Sequence, residues 1–232
     1  MGKVETATVA DIHMTDVTPA GQLVAGPHEF PRFDEHYRSQ WIGAGLWSDE
    51  TLHGLFDRTV AAEPDKVAVI TTDRRVTMAE LKADSDALAA GLLGAGVQPG
   101  EIVAVQLPNW IEFVWFQIAL SRIGAVIQPV HTVFRARELT KLLGFCETDW
   151  VVAPGVHDGH DYAGVLRSIA PELPHLLGIL VVRGDDPAPD DSGSSAIPER
   201  HIEAVIEDGR RRLDRLEGID DDPDAVFYLN FT

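Results

Sequence analysis

Between residues 67 and 182 the sequence alternates short, continuous apolar runs with longer segments of helical period, and few architectures tolerate that rhythm. A run at 67–70 reads as a strand that the polar turn at 72–74 returns through 75–76, and the runs at 102–107, 125–130, 150–153 and 178–182 are rich in Val, Ile and Ala and too short to be helices. Apolarity that is continuous rather than alternating marks strands buried on both faces. Single helical segments separate most of these runs, near 77–94, 109–123, 136–143 and 162–170. One helix between two strands gives a right-handed crossover and parallel neighbours. The expected fold is therefore α/β, a mainly parallel sheet flanked by helices.

Helix ends carry their own signals. Leu52, Leu55, Phe56 and Val60 share one helical face, with Asp49 as the expected N-cap and Pro64 as the stop. Thr77 and Glu80 have the spacing of a capping box, in which the hydroxyl takes one orphan amide and the carboxylate reaches back for another. Asn109 and Glu112 repeat that spacing. The helix they open is apolar almost all round, from Ile111 through Phe113, Val114 and Ile118 to Leu120, so it is expected to be buried on several sides. Trp110, Trp115 and Phe116 are assigned to the core. Gly91, Gly94 and Gly96 are not a dinucleotide fingerprint, which needs its glycines between a strand and a helix start. They close a helix, where glycine serves as a left-handed cap. A dinucleotide-dependent oxidoreductase is disfavoured on that ground.

The chain divides into an irregular arm at 1–46, an α/β lobe at 47–183, a linker or surface loop at 184–198 rich in Gly, Asp, Pro and Ser, and a last unit at 199–232. That unit holds a charged helix near 199–207 and a strand at 225–229. The sequence stops on this strand without a closing element, so it is expected to be the leading piece of a longer protein. Phe227 and Leu229 would then be exposed, which favours self-association.

Composition excludes some partners. With 37 Asp and Glu against 19 Lys and Arg, the net charge of −18 repels phosphate backbones and anionic membranes. No stretch of about 20 unbroken apolar residues spans a membrane, and the first residues lack a basic start followed by an apolar run. A lone cysteine, Cys146, rules out an intrachain disulfide framework and is expected to be a packed thiol. A cytoplasmic protein is the expectation. His157-Asp158-Gly159-His160-Asp161 has metal-binding residue types, but Gly159 argues for a turn and no partner segment supplies further ligands. His131 follows the apolar run at 125–130, at the carboxyl end of an expected parallel strand, where ligands of open α/β sheets collect. It is a candidate substrate contact; the plainer alternative is a rim histidine satisfied locally.

The order of these segments resembles the adenylate-forming superfamily of AMP-dependent synthetases and ligases. Asp65-Lys66-Val67-Ala68-Val69, a turn, and Val76-Thr77-Met78-Ala79-Glu80-Leu81 are similar to its first core motif. Leu120-Ser121-Arg122-Ile123-Gly124-Ala125-Val126, continuing to Pro129, is similar to its second. Residues 103–109 (V-A-V-Q-L-P-N), 133–139 (V-F-R-A-R-E-L) and 224–232 also fit, and in the family the last of these runs into a glycine-rich T-S-G-T-T-G-x-P-K-G loop. The likeness covers about residues 47–183 and 221–232, the N-terminal portion only, of the acyl-CoA synthetase or aryl-acid adenylating type.

The resemblance implies a two-step reaction. A carboxylic acid and ATP give an acyl-adenylate and pyrophosphate, and a thiol, typically coenzyme A, then takes the acyl group. Mg²⁺ would offset the developing charge. By the same resemblance Thr232 is the first residue of the ATP phosphate loop, and the remaining ligands lie in the rest of the ligase chain, so this portion alone is expected to be inactive. His131 departs from the family, which more often has asparagine or a small polar residue there. The alternative reading is a non-catalytic binding or scaffolding module derived from the same lobe.

Overall fold

The computed structural model describes residues 22–24, 28–31, 34–184, 197–219 and 222–231. The N-terminal arm is not wholly irregular. It pairs β1 (Gln22–Val24) with β2 (Glu29–Pro31) and then forms helix α1 (Glu35–Gly43), capped by Asp34. No residue of α1 is buried, so the helix lacks the apolar stripe that periodicity detects. The linker expected at 184–198 lies almost entirely outside the described residues.

Helix α2 (Leu52–Ala62) is capped by Thr51, whose side chain accepts from the Gly54 amide. Asp49, the expected cap, is instead taken by Arg38. The hairpin β3 (Val67–Ile70) and β4 (Arg75–Thr77) leads into α3 (Met78–Ala95) through the capping box that Thr77 and Glu80 encode. Such a cap stabilises a helix by about 1 kcal/mol. Of the three glycines near the end of α3, only Gly96 is the cap, with φ of 113°. Gly91 and Gly94 lie inside the helix, which corrects the reading of all three as terminators.

The crossovers follow in the expected order. β5 (Ile102–Val105), α4 (Ile111–Arg122), β6 (Val126–Pro129), α5 (Ala136–Phe145) and β7 (Trp150–Pro154) alternate without interruption. A small hairpin, β8 (Val156–His157) and β9 (His160–Asp161), turns on Asp158 and Gly159, both left-handed. Two central residues of that hand make the tight turn that strand twist favours. Then come α6 (Tyr162–Ile169), β10 (Gly178–Val182), β11 (Glu199–His201) and α7 (Ile202–Arg211). The charged segment near 199 is thus a short strand followed by a helix.

Five strands form one parallel sheet in the order β11-β10-β7-β5-β6. Side chains alternate across it, as the pleat requires. Val103, Val105, Val152, Leu180 and Val182 face α3, α4 and α7; Ala104, Val151, Ala153, Ile179 and Val181 face α5 and α6. The result is three layers with a core on each side of the sheet. At the free edge, Tyr228 forms a parallel bridge with Ile127, so the expected last strand is a two-bond attachment to β6. Phe227 packs partly against the core; the exposed large apolar side chains there are Tyr228 and Phe231, whereas Phe227 and Leu229 are partly buried.

Polar groups fix the sheet's amino edge and the helical layer. Asp149 accepts from the Ile102 amide at 2.8 Å and meets His28 at 2.7 Å. Glu101 accepts from the Gln98 amide and Trp150 Nε1, both at 2.9 Å. Burial still pushes the Glu101 carboxyl above its ordinary value, with those two donors opposing. The Cys146 thiol is half-buried, receives a hydrogen bond from Gln128 Nε2 at 3.0 Å, and is pushed up by burial. Among the described residues no helix is long and apolar enough to cross a membrane.

Candidate functional site

The strand order contains a reversal. β5 connects through α4 to β6 on one side, and the chain then passes back through α5 to β7 on the other side of β5. Crossovers that leave in opposite directions open a crevice at the carboxyl ends of the two strands, the usual ligand position in open α/β sheets. Two groups of side chains converge there.

The first holds the loop after β6. Gln106, wholly buried just past β5, donates through Nε2 to the carbonyls of His131 (3.0 Å) and Phe134 (3.1 Å). Tyr162 Oη donates to the Thr132 carbonyl at 3.1 Å, and Arg135 Nη1 donates to Thr132 and Phe134 at 2.6 and 2.9 Å. The guanidinium of Arg135 also lies over the Tyr162 ring. His131 therefore has a fixed backbone and an exposed imidazole, with the Phe134 ring 6.0 Å away. It stands at the carboxyl edge as the sequence indicates.

Gln106 went unnoticed because one polar residue closing an apolar run looks like an interruption. The chemistry gives it a clear job: it ties two loop carbonyls to the end of β5, each of which has one further donor, the Phe134 amide for His131 and Arg135 Nη1 for Phe134. Replacing it with Leu should cost about 2 kcal/mol through the loss of two buried hydrogen bonds. A thermal melt should register that as a Tm loss of roughly 4–8 °C, with faster amide exchange confined to 131–135. An unchanged melt and unchanged exchange would remove Gln106 from this role.

The second group lies over β5, β7 and β10. Arg183, immediately after β10 and left-handed with φ of 52°, makes a two-pronged pair with Glu112 at 2.7 and 2.9 Å. Its guanidinium also sits 4.2 Å from the centre of the Trp110 ring, a favourable cation–π placement. The other side of that cluster is His157, whose ring meets Trp110 edge-on at 4.8 Å. Glu112 is thus not the reach-back half of a capping box with Asn109: Trp110 is the N-cap of α4 and has no side-chain cap bond. Trp110 is a rim residue, whereas Phe116 is fully buried as expected. A cleft of about 870 Å³ opens beside this cluster, between the β3–β4 turn and the start of α4. Its guanidiniums, Arg74 and Arg183, are balanced by Asp73 and Glu112, so it carries no net charge from these side chains.

Thr232 lies outside the described residues. The strand that leads towards it runs parallel to β6, so it points to the same carboxyl edge as His131. Among the described residues no group of three or more His, Cys, Asp or Glu is placed to hold a metal ion.

An open parallel sheet with a strand-order reversal and helices on both faces defines an α/β lobe of the doubly wound kind. Sequence comparison makes this specific: residues 56–232 match the profile of the AMP-binding enzymes, and the chain belongs to that family. It is 32% identical over 187 residues to a salicylyl-CoA synthase / salicylate adenylyltransferase of Streptomyces sp, covering 81% of this chain and 33% of that protein. It is also 32% identical over 151 residues to the medium-chain fatty-acid–CoA ligase of Escherichia coli (strain K12), covering 65% and 27% respectively. Among solved structures, apo MbtA of Mycobacterium smegmatis superposes with a TM-score of 0.68 at 28% identity, over 87% of this chain and 34% of that one. The chain thus spans about a third of the length of these relatives.

Proposed function

We propose that this chain is the N-terminal sheet lobe of an ATP-dependent carboxylate–CoA ligase. The reaction joins a carboxylic acid to ATP, giving an acyl-adenylate and pyrophosphate, and then passes the acyl group to the thiol of coenzyme A with release of AMP. The observation that carries the reading is the family match running through the parallel edge segment to residue 232. That segment delivers the chain to the carboxyl edge of the sheet, where Thr232 would begin a phosphate-binding loop. Loops of this kind hold phosphates with backbone amides, which are fixed partial charges needing no reorganisation.

His131 faces solvent at that edge and is proposed to border the carboxylic acid. Its imidazole can donate a hydrogen bond to a carboxylate or a ring hydroxyl. Mg²⁺ would act on the triphosphate, and its ligands belong to sequence outside the described residues, which offer no metal cluster. The single cysteine supports a reducing, cytoplasmic compartment.

The test is carboxylate-dependent pyrophosphate release with salicylate, 2,3-dihydroxybenzoate and a medium-chain fatty acid as probes. These 232 residues alone are expected to release none, because the groups that neutralise ATP's charge are not among those described. The protein translated past Thr232 is expected to respond to at least one acid. No response to any carboxylate, together with retained binding of one of the probes, would overturn the ligase reading in favour of a non-catalytic binding module.

A further inference from the structure

The arm touches the lobe along the amino edge of the sheet, at contacts the ligase reading leaves unexplained. His28 meets Asp149, which precedes β7. Further along, α1 presents Arg38 to the start of the edge segment: its Nε lies 2.7 Å from Asp224, across 186 residues of sequence. The same guanidinium reaches Asp49 through Nη2 and lies 3.8 Å from Glu35. The side chains of Arg38 and Asp224 are only 19% and 23% exposed, so the pair is partly withdrawn from the water that would screen it.

Asp224 opens the segment that reaches the carboxyl edge. Among the described residues the segment's backbone holds to the sheet through two hydrogen bonds, Ile127 N–H to the Phe227 carbonyl (2.8 Å) and Leu229 N–H to the Ile127 carbonyl (2.9 Å). An edge strand with so short a ladder opens easily by itself. Its entry is shaped by Asp222, whose carboxylate accepts from the Asp224 amide at 2.9 Å. A fixed charge pair just upstream of a two-bond ladder limits both sliding and lifting of the strand.

We infer that Arg38 is a positioning residue: helix α1 uses it to hold the start of the edge strand against β6, and so sets where residues 230 and 231 emerge at the carboxyl edge. This rests on the ligase reading only for its consequence, that the emerging residues lead into a phosphate-binding loop. The latch itself is a property of the described chain.

Amide hydrogen exchange on this chain tests the latch directly. Arg38→Ala should speed exchange of the Ile127 and Leu229 amides about tenfold, the scale of losing one charge-assisted hydrogen bond, while β5 and β7 amides keep their wild-type rates. Arg38→Lys, which retains one cationic donor, should restore most of the protection. Unchanged exchange at Ile127 and Leu229 would overturn the proposal, as would an equal rise throughout the sheet, which marks general destabilisation. In the protein translated past Thr232, the same Arg38→Ala change should raise KM for ATP about tenfold with kcat little altered. Local loosening without a KM change would overturn the positioning role. If that protein releases no pyrophosphate even as wild type, the ligase reading fails, and the exchange result still decides the latch.

Discussion

Gly209→Ala should be among the most damaging single-methyl additions in this protein, lowering stability by about 3 kcal/mol and Tm by roughly 6–12 °C. A Cβ at Gly209 would lie 1.8 Å from the Ala87 carbonyl oxygen and 2.6 Å from the Gly91 nitrogen. A Cβ at Gly91 would lie 2.0 Å from the Val205 carbonyl oxygen. Those are backbone atoms of regular helices and cannot rotate aside as a side-chain end can. Helices α3 and α7 must therefore separate, and Leu88, Leu92, Val205 and Ile206, which pack in the same core, lose contact with them. Helix propensity pulls the other way, since alanine is worth about 1 kcal/mol over glycine within a helix. The steric overlap is larger and decides the sign. Gly144→Ala is the control: the nearest atom to its added methyl would be Leu173 Cδ2 at 3.7 Å, so propensity should win and the melt should hold or rise. Gly91→Ala and Gly209→Ala together should cost less than the sum, because either one already parts the helices. Equal melts for Gly209→Ala and wild type would mean the helices are not in backbone contact.

That contact shows why some of the fold was legible in the sequence and some was not. Four of the five sheet strands, β5, β6, β7 and β10, were legible because both faces of each are covered, which leaves continuous apolar runs such as Val103-Ala104-Val105; the edge strand β11, with Glu199, Arg200 and His201, carries no such run and reads as helix. Strand order was not, because nothing in a run of Val and Ile says that β7 lies beside β5 rather than β6. Ala87 and Gly91 meet Gly209 and Val205, which lie more than 100 residues away, and Gly94 meets Arg215 and Asp208, equally distant in sequence. Local rules therefore assigned Gly91 and Gly94 to helix termination. The Asn109–Glu112 spacing failed for a related reason: Arg183 supplies a full charge across 71 residues, a stronger partner for Glu112 than an amide at its own helix end. At the candidate site, His131 could be placed from strand polarity alone. Gln106 could not, because its value depends on two carbonyls that only the folded loop brings to it.

Arg122→Ala should be the next most damaging change near neutral pH and should blunt the protein's loss of stability in acid. Arg122 Nη2 lies 2.6 Å from both Asp57 oxygens, and its Nε is 2.7 Å from Asp86 Oδ1, close enough for charge pairing though out of line for a straight hydrogen bond. Lys82 repeats the bridge from the other side, 2.6 Å from Asp57 and 2.8 Å from Asp86. Two cations and two carboxylates thus join α2, α3 and α4. Burial raises the Asp57 pKa, but the hydrogen bonds from Arg122 and Lys82 outweigh it and hold the carboxyl below its ordinary value. A carboxylate depressed by folding stabilises the native state above its unfolded pKa, and that contribution is lost as pH falls through the folded value. Wild type should therefore lose stability on acidification. Without Arg122, only Lys82 opposes burial at Asp57. Its folded pKa then moves up towards the unfolded value, so acid removes less stability from the variant than from wild type. The expected cost near pH 7 is about 2 kcal/mol, below the cost for a fully buried pair because Asp57 is 35% exposed. Urea titrations from pH 7 to pH 2 should give a difference between wild type and Arg122→Ala that narrows once the pH falls below the ordinary Asp value of 3.8. Arg122→Lys, which keeps the charge but cannot span both carboxylates, should retain more of the wild-type pH dependence with a smaller loss. A gap that stays constant across this range would mean that the arginine stabilises the helices through its packed stem rather than through its charge.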